Sequence, residues 1–511
     1  MRALLVTSVG VTCAAALTLP LAAPASSAPV LSSASARPPS LTTEPRTDTT
    51  DTIDTSGTTG TSGTTTSDTT APDGAEPRAA KSAAEPAGST QSLPLAPLAV
   101  PSNRVAGAPV VQGLPQRDAR PFSLVGVVWD DAEAELHGTV QVRTRATGTT
   151  RWSDWQDVEA HNADHAADLG SAEREGRTVR GATAPLWVGD SDGVEVRVRP
   201  ESPATPESPG SQDRAATPVP LPEGMRLELV DPGEDPAPEP ARGAPANRAA
   251  VPAVFADTPP TAALPEVLTA EIAAASAVNA EVAELGASVI PALTQAETVE
   301  SVNLAPGAKP YIGPRPRIVT RKGWGADEKL RERNFGYTKS VKAAFVHHSA
   351  TGNNYTCKQA PSVLRSIYRY HVKSSGWRDF GYNFAVDKCG NIYEGRAGGV
   401  TKAVLGAHTL GFNTNTMGIA VLGSYGSTNP PAAAVTAVSK LTAWKLGLFG
   451  ANPKGKVTLV SGGSNKYRKG VKVKMNVISG HRDGFATECP GARLYKKLGT
   501  ARTSSAKLQG R

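Results

Sequence analysis

Residues 42–70 read TTEPRTDTTDTIDTSGTTGTSGTTTSDTT, and no part of that run can bury itself. It has no apolar period at 2 or 3.6 residues, so it cannot repay the entropy of ordering and reads as disordered. The same reasoning extends to 26–103, a Thr/Ser/Pro/Ala-rich spacer, and to 232–312, a Pro/Ala-rich linker. A chain of 511 residues exceeds one ordinary domain, yet its aromatic content is 5% and it holds 49 Gly and 42 Pro. Folding must therefore concentrate in two stretches, 104–231 and 313–499.

The first stretch alternates with period two. FSLVGVVWD, GTVQVRTR, APLWVG, GVEVRVRP and MRLELVD are short strands parted by Gly, Asp and Thr, which predicts a small all-β, sandwich-like accessory domain. Trp129, Trp152, Trp155 and Trp187 are either core side chains or a platform for carbohydrate. Within the linker, PEVLTAEIAAASAVNAEVAEL has the spacing of one amphipathic helix. The second stretch mixes strand and helix and predicts an α/β domain, a mixed sheet flanked by helices. AAFVHH (343–348), YNFAVDK (382–388), NIYEG (391–395) and MGIAVLG (417–423) read as strands. Helices are expected over 361–374 and 431–446, with a short third beginning at 490–491 and a basic tail over 500–511.

Charge separates the two halves. Residues 311–511 carry 33 Lys+Arg against 8 Asp+Glu, and residues 1–310 carry 21 against 39. A basic domain suits an anionic polymer: nucleic acid, lipid, or a bacterial wall. The opening MRALLVTSVGVTCAAALTLPLAAPASSA has an early Arg, an apolar run and small residues at Ala23 and Ala25, the shape of a signal peptide spanning 1–25. No other stretch reaches the ~20 apolar residues of a membrane helix. A secreted, wall-associated protein with no integral membrane segment after cleavage is expected, and export argues against a nucleic-acid partner. Cleavage would remove Cys13 and leave Cys357, Cys389 and Cys489, an odd number for an oxidising compartment.

Five of the eight histidines, His347, His348, His371, His408 and His481, fall in the α/β stretch. Neighbours on a strand face opposite ways, so only one of His347 and His348 can serve a given pocket. His481 and Cys489 stand eight residues apart in SGHRDGFATECPG, an uncommon spacing for structural zinc. They read either as half of a metal site or as a loop histidine beside a disulfide. With a third ligand from a distant strand, a His/His/Cys set would leave one tetrahedral position open for water, the catalytic arrangement.

FVHHSAT, GWRDFGYNFAVDKCGNIYEGR, GAHTLGFNTNTMGIAVLG and SGHRDGFATECPG together resemble a peptidoglycan recognition protein domain, a family similar to N-acetylmuramoyl-L-alanine amidases of type 2. The resemblance covers roughly 316–499, and the whole arrangement is similar to secreted proteins of high-GC Gram-positive bacteria. It implies zinc held by His347, His481 and Cys489, with catalytic roles for Tyr382 and Thr487. It places His371, His408, Arg396 and Asn413 along a substrate groove, and it leaves Cys357 and Cys389 as a disulfide. Members that only bind peptidoglycan lack the cysteine ligand, so Cys489 favours hydrolysis of the muramyl–L-alanine amide over binding alone. The implied partner is bacterial peptidoglycan and the implied state a monomer. After YEGR this chain reads AGGV, where many animal members have a Gly-Trp pair, so the choice between diaminopimelate and lysine stem peptides stays open.

Overall fold

A computed structural model describes residues 88–98, 110–160, 165–201, 219–236, 268–302 and 310–511. The expected signal peptide and nearly all of the expected spacer lie outside these residues. None of the helices among the described residues is long and apolar enough to cross a membrane.

The N-terminal strands are β1 (Ser89–Pro94), β2 (Ala96–Pro97), β3 (Gln112–Trp129), β4 (Gly138–Ala146), β5 (Gln156–Val158), β6 (Gly181–Ala182), β7 (Leu186–Pro200) and β8 (Arg226–Asp231). They form one sheet in the order β1-β8-β3-β7-β4-β5, with β2 and β6 also paired to β3. The all-β expectation holds, with all eight strands hydrogen-bonded into one sheet. Its long strand β3 shifts register against β7 at three places, and such bulges bend a strand and increase its twist. The first strand begins at Ser89, inside the segment read as spacer, because STQSLP pairs residue for residue with RLELVD of β8. Trp129 and Trp187 are buried, while Trp152 and Trp155 lie under the guanidinium groups of Arg143 and Arg197, so the four make no common carbohydrate platform.

Beyond the N-terminal sheet come α1 (Ala270–Ala277), β9 (Val289–Ile290) and α2 (Gln295–Glu300), all within the expected linker. Next are β10 (Ile318–Val319), α3 (Arg321–Trp324), β11 (Ala343–His348), α4 (Ala360–Arg369), β12 (Phe384–Val386), β13 (Ile392–Glu394) and β14 (Thr416–Val421). The chain closes with α5 (Ala432–Leu448), β15 (Lys456–Val460), β16 (Lys472–Asn476), β17 (Ile478–Gly480) and α6 (Ala492–Leu508). A seven-stranded mixed sheet runs β17-β11-β14-β12-β13-β10-β9, and β15 and β16 form a separate hairpin. The linker contributes its edge strand β9, antiparallel to β10. The expected tail is the last two turns of α6, held because Ala501, Ser505 and Ala506 are buried.

Helix α4 opens with Pro361 in its first turn, where a missing N–H costs nothing, and ends in a wider turn over Tyr370–Ser374. Its buried face carries Leu364 and Ile367, and His371 follows in that turn. On the other side of the sheet, α5 and α6 cover Ile419, Val421 and Val346 with Leu441, Trp444, Leu494 and Leu498.

The two sheets share a core. Leu124 and Val128 of β3, Trp187 of β7 and Val230 of β8 pack in one cluster with Leu364, Ile367 and Tyr370. The alternate residues Val125, Val127 and Trp129 face the core within the N-terminal sheet. Gly126 makes the approach possible: a Cβ there would lie 2.4 Å from the Tyr370 hydroxyl oxygen, which donates to the Thr183 carbonyl at 3.1 Å.

Candidate metal centre

Strand β11 lies in the middle of the mixed sheet, paired with β14 on one side and β17 on the other. Its alternation sends His347 to the same face as Phe345 and His348 to the opposite one. Strand β17 ends at Gly480, and the single turn His481–Asp483 that follows places His481 beside His347, their ring centroids 4.5 Å apart. The loop then returns through Thr487 to Cys489, whose Sγ lies 3.7 Å from His347 Nδ1 and 3.9 Å from the His348 carbonyl oxygen. Thr487 steers that return, its hydroxyl accepting from the Cys489 N–H at 3.2 Å.

A fourth residue joins this group, and it comes from the N-terminal domain. His165 Nε2 stands 3.7 Å from Cys489 Sγ, and one ligand atom from each of His165, His347, His481 and Cys489 falls within 4.8 Å of every other. All four side chains are buried. Two soft or borderline donors at a 3.7 Å separation match the edge of a zinc tetrahedron, about 3.4–3.8 Å for ordinary Zn–N and Zn–S bonds. The donor set therefore fits zinc. Burial, reinforced by the neighbouring His481 and His165, holds the His347 imidazole well below its ordinary value, hence neutral and able to ligate. His347 Nε2 faces the Thr409 hydroxyl at 3.5 Å, a partner suited to fix the ring orientation.

The remaining expected residues surround the group. Tyr382 is buried, its ring 5.3 Å from that of His347 and 5.7 Å from that of His165. His371 accepts from the Gly381 N–H on Nδ1 at 3.2 Å, with the Trp377 ring stacked at 4.3 Å. His408 meets the Thr409 and Thr416 hydroxyls at 3.0 and 3.3 Å, its ring 5.4 Å from that of His347. Both histidines are held well below their ordinary value, chiefly by burial. Arg396 donates to the Phe380 carbonyl and pairs at 2.6 Å with Glu173 of the N-terminal domain. Asn413 accepts from the backbone N–H groups of His408 and Thr409, and its amide donates to the Ala166 carbonyl and the Asp168 carboxylate. Cys357 and Cys389 form a disulfide.

His165 and its following acidic residues are what sequence reasoning missed. His165 lies outside the α/β stretch, and HNADHAADLG carries only a loop with two histidines as a signal. His348, turned away from the ligand group, also touches the N-terminal domain, at 3.3 Å from Glu159.

Comparison with known proteins gives two separate matches. The profile of the family described as N-acetylmuramoyl-L-alanine amidase matches residues 337–492, and that described as Rv3811 N-terminal galactose-binding domain-like matches residues 63–219. Peptidoglycan-recognition protein SC2 of Drosophila simulans is 32% identical over 185 residues, 36% of this chain and 85% of the relative. The human N-acetylmuramoyl-L-alanine amidase is 31% identical over 194 residues, 36% of this chain and 28% of the relative. The solved structure of Drosophila PGRP-LB is 24% identical and covers 36% of this chain and 92% of its own, with a TM-score of 0.29.

Proposed function

We propose that this chain, which belongs to the peptidoglycan-recognition protein family, is a zinc-dependent N-acetylmuramoyl-L-alanine amidase acting on bacterial peptidoglycan. The observation that carries the reading is the Cys489 thiol at 3.7 Å from His347 Nδ1, with His481 beside both. A zinc ion held by His347, His481 and Cys489 would supply Lewis-acid polarisation of the scissile carbonyl and a water acidic enough to react near neutrality.

The chain's own residues supply the rest. The Tyr382 phenol, its ring 5.3 Å from that of His347, would donate a hydrogen bond to the carbonyl oxygen as it gains charge, where a fixed donor is worth most. Thr487 accepts from Cys489 N–H and so keeps its own hydroxyl proton to offer to the same oxygen. His371, neutral by burial and bonded through Nδ1 to the Gly381 N–H, would meet a bound glycan or peptide through its other ring nitrogen, and His408, neutral by burial and bonded to the Thr409 and Thr416 hydroxyls, would shape the groove beside it. The planar fork of Arg396 suits a peptide carboxylate. An N-terminal segment shaped for export and a disulfide in the same chain both fit an oxidising, extracytoplasmic setting, where the wall is met.

Two measurements on the full chain test the reading. Zinc-equilibrated wild type should retain one equivalent of metal after gel filtration, and Cys489→Ser should lose it. Sacculi treated with the zinc-loaded chain, or with its opened variant described below, should gain L-alanine amino termini that a chelator abolishes. Sacculi bound without any release by either form would leave a wall-binding protein in place of an enzyme.

A further inference from the structure

We propose that His165 is a fourth ligand to the zinc and that residues 165–178, crossing the groove behind it, hold the amidase latent as an internal mimic of an acidic stem peptide. The inference rests on the metal-site reading above. A hydrolytic zinc centre keeps three protein ligands and one open position, whereas four protein ligands close the coordination shell. Here His165 Nε2 occupies the fourth corner, 3.7 Å from Cys489 Sγ, its ring 4.5 Å from that of His481 and 5.1 Å from that of His347. Only 4% of His165 is exposed, so the reacting position is shielded as well as filled.

The residues after His165 take up the donors that a substrate would need. The Asp168 carboxylate accepts from the Gly411 N–H at 2.7 Å and from the Asn413 amide at 2.8 Å. The Asn413 amide also donates to the Ala166 carbonyl at 3.0 Å. Glu173 pairs with Arg396 at 2.6 Å, both side chains below 10% exposure. Arg378 donates to the carbonyls of Glu173 and Glu175, and Arg177 pairs with Glu332. Gly376, at φ +79, allows the closest approach, since a Cβ there would meet the Thr178 carbonyl oxygen at 2.2 Å. With the His165 imidazole set at the metal group, two carboxylates and three carbonyls thus engage two guanidinium groups, the Asn413 amide and the Gly411 backbone N–H. The partner those groups select is a peptide bearing carboxylates, and such a peptide competes directly with Asp168 and Glu173 for the same donors.

Cobalt(II) substituted for zinc in the full chain reports the open position without any turnover. In the wild type, the ligand-field spectrum should be unmoved by added thiocyanate. In His165→Ala it should shift, with metal affinity in chelator competition lower by about tenfold or more. The same variant should release L-alanine amino termini from sacculi at least about tenfold faster than wild type. The double variant Asp168→Ala/Glu173→Ala keeps all four ligands and loosens the segment, so thiocyanate should reach the cobalt partially. Agreement of the far-ultraviolet circular dichroism spectrum with wild type identifies a folded variant. A wild-type spectrum as responsive to thiocyanate as that of His165→Ala, or a double variant that stays closed, overturns the latency and leaves the amidase reading intact. An opened spectrum in His165→Ala with no release from sacculi overturns the amidase reading and leaves the ligand assignment standing. Loss of stoichiometric cobalt from every form removes both.

Discussion

At the scale of single residues, function depends on side chains being aimed rather than merely present. Tyr382 lies on the approach to β12, and its ring packs against those of Phe380 and His371 and 5.3 Å from that of His347. Tyr382→Phe removes one oxygen and leaves that packing. In the His165→Ala background, kcat should fall about 10²-fold with zinc content and KM little changed, as for a donor that acts on developing charge. Steady-state release of L-alanine amino termini together with metal analysis checks this. The strand alternation that separates His347 from His348 is visible in AAFVHH, because a two-residue period leaves no other choice. The contribution of His165 is not visible there, since nothing local in HNADHAADLG says which distant groups it meets. Thr487 combines both kinds of information: its type and spacing suit an oxyanion donor, but its bond to Cys489 N–H appears only once the loop has closed.

At the scale of elements, the site is an assembly of strand ends and loops clamped from outside. The disulfide joins the turn entering α4 to the turn between β12 and β13, 32 residues apart, so it restrains both α4 and the strand that Tyr382 leads into. Replacing Cys357 and Cys389 together by Ser should cost about 2–4 kcal/mol, the usual range for a loop of this length. Urea unfolding of the variant against wild type measures it. A cost near zero would mean that packing alone holds the two turns together. Strands β11 to β14 and helices α4 and α5 were legible from period and punctuation. Elements outside the recognised stretch were not, for a physical reason: β1 and β9 are short edge strands with little apolar pattern of their own, stabilised by pairing with β8 and β10. Period-two alternation describes the FSLVGVVWD run of β3 only in part. Its near-continuous apolarity marks a strand buried on both faces, a pattern as common in packed interiors as alternation is at surfaces.

At the scale of the whole molecule, the two domains are bound by a common core and by opposite charge. Leu124, fully buried between the N-terminal sheet and α4, belongs to that core. Leu124→Ala should destabilise both domains together by about 3 kcal/mol, with a single calorimetric transition lowered as a unit. Two separated transitions, only one of them shifted, would show that the domains unfold independently. The excess of acid in residues 1–310 and of base in 311–511 has a structural expression in the pairs Glu173–Arg396 and Asp235–Arg365. What the amino-acid sequence determined by itself was everything carried by period, spacing and residue type: the mixed sheet and its helices, the opposite facing of His347 and His348, and the candidate roles of His481 and Cys489. The fourth member of the ligand group, the engagement of Arg396 and Asn413 by an acidic segment, and the continuity of the two cores were decided only by tertiary structure. Each of those depends on groups about 200 or more residues apart in the chain, and no local pattern encodes which of many buried polar groups will be brought within bonding distance of another.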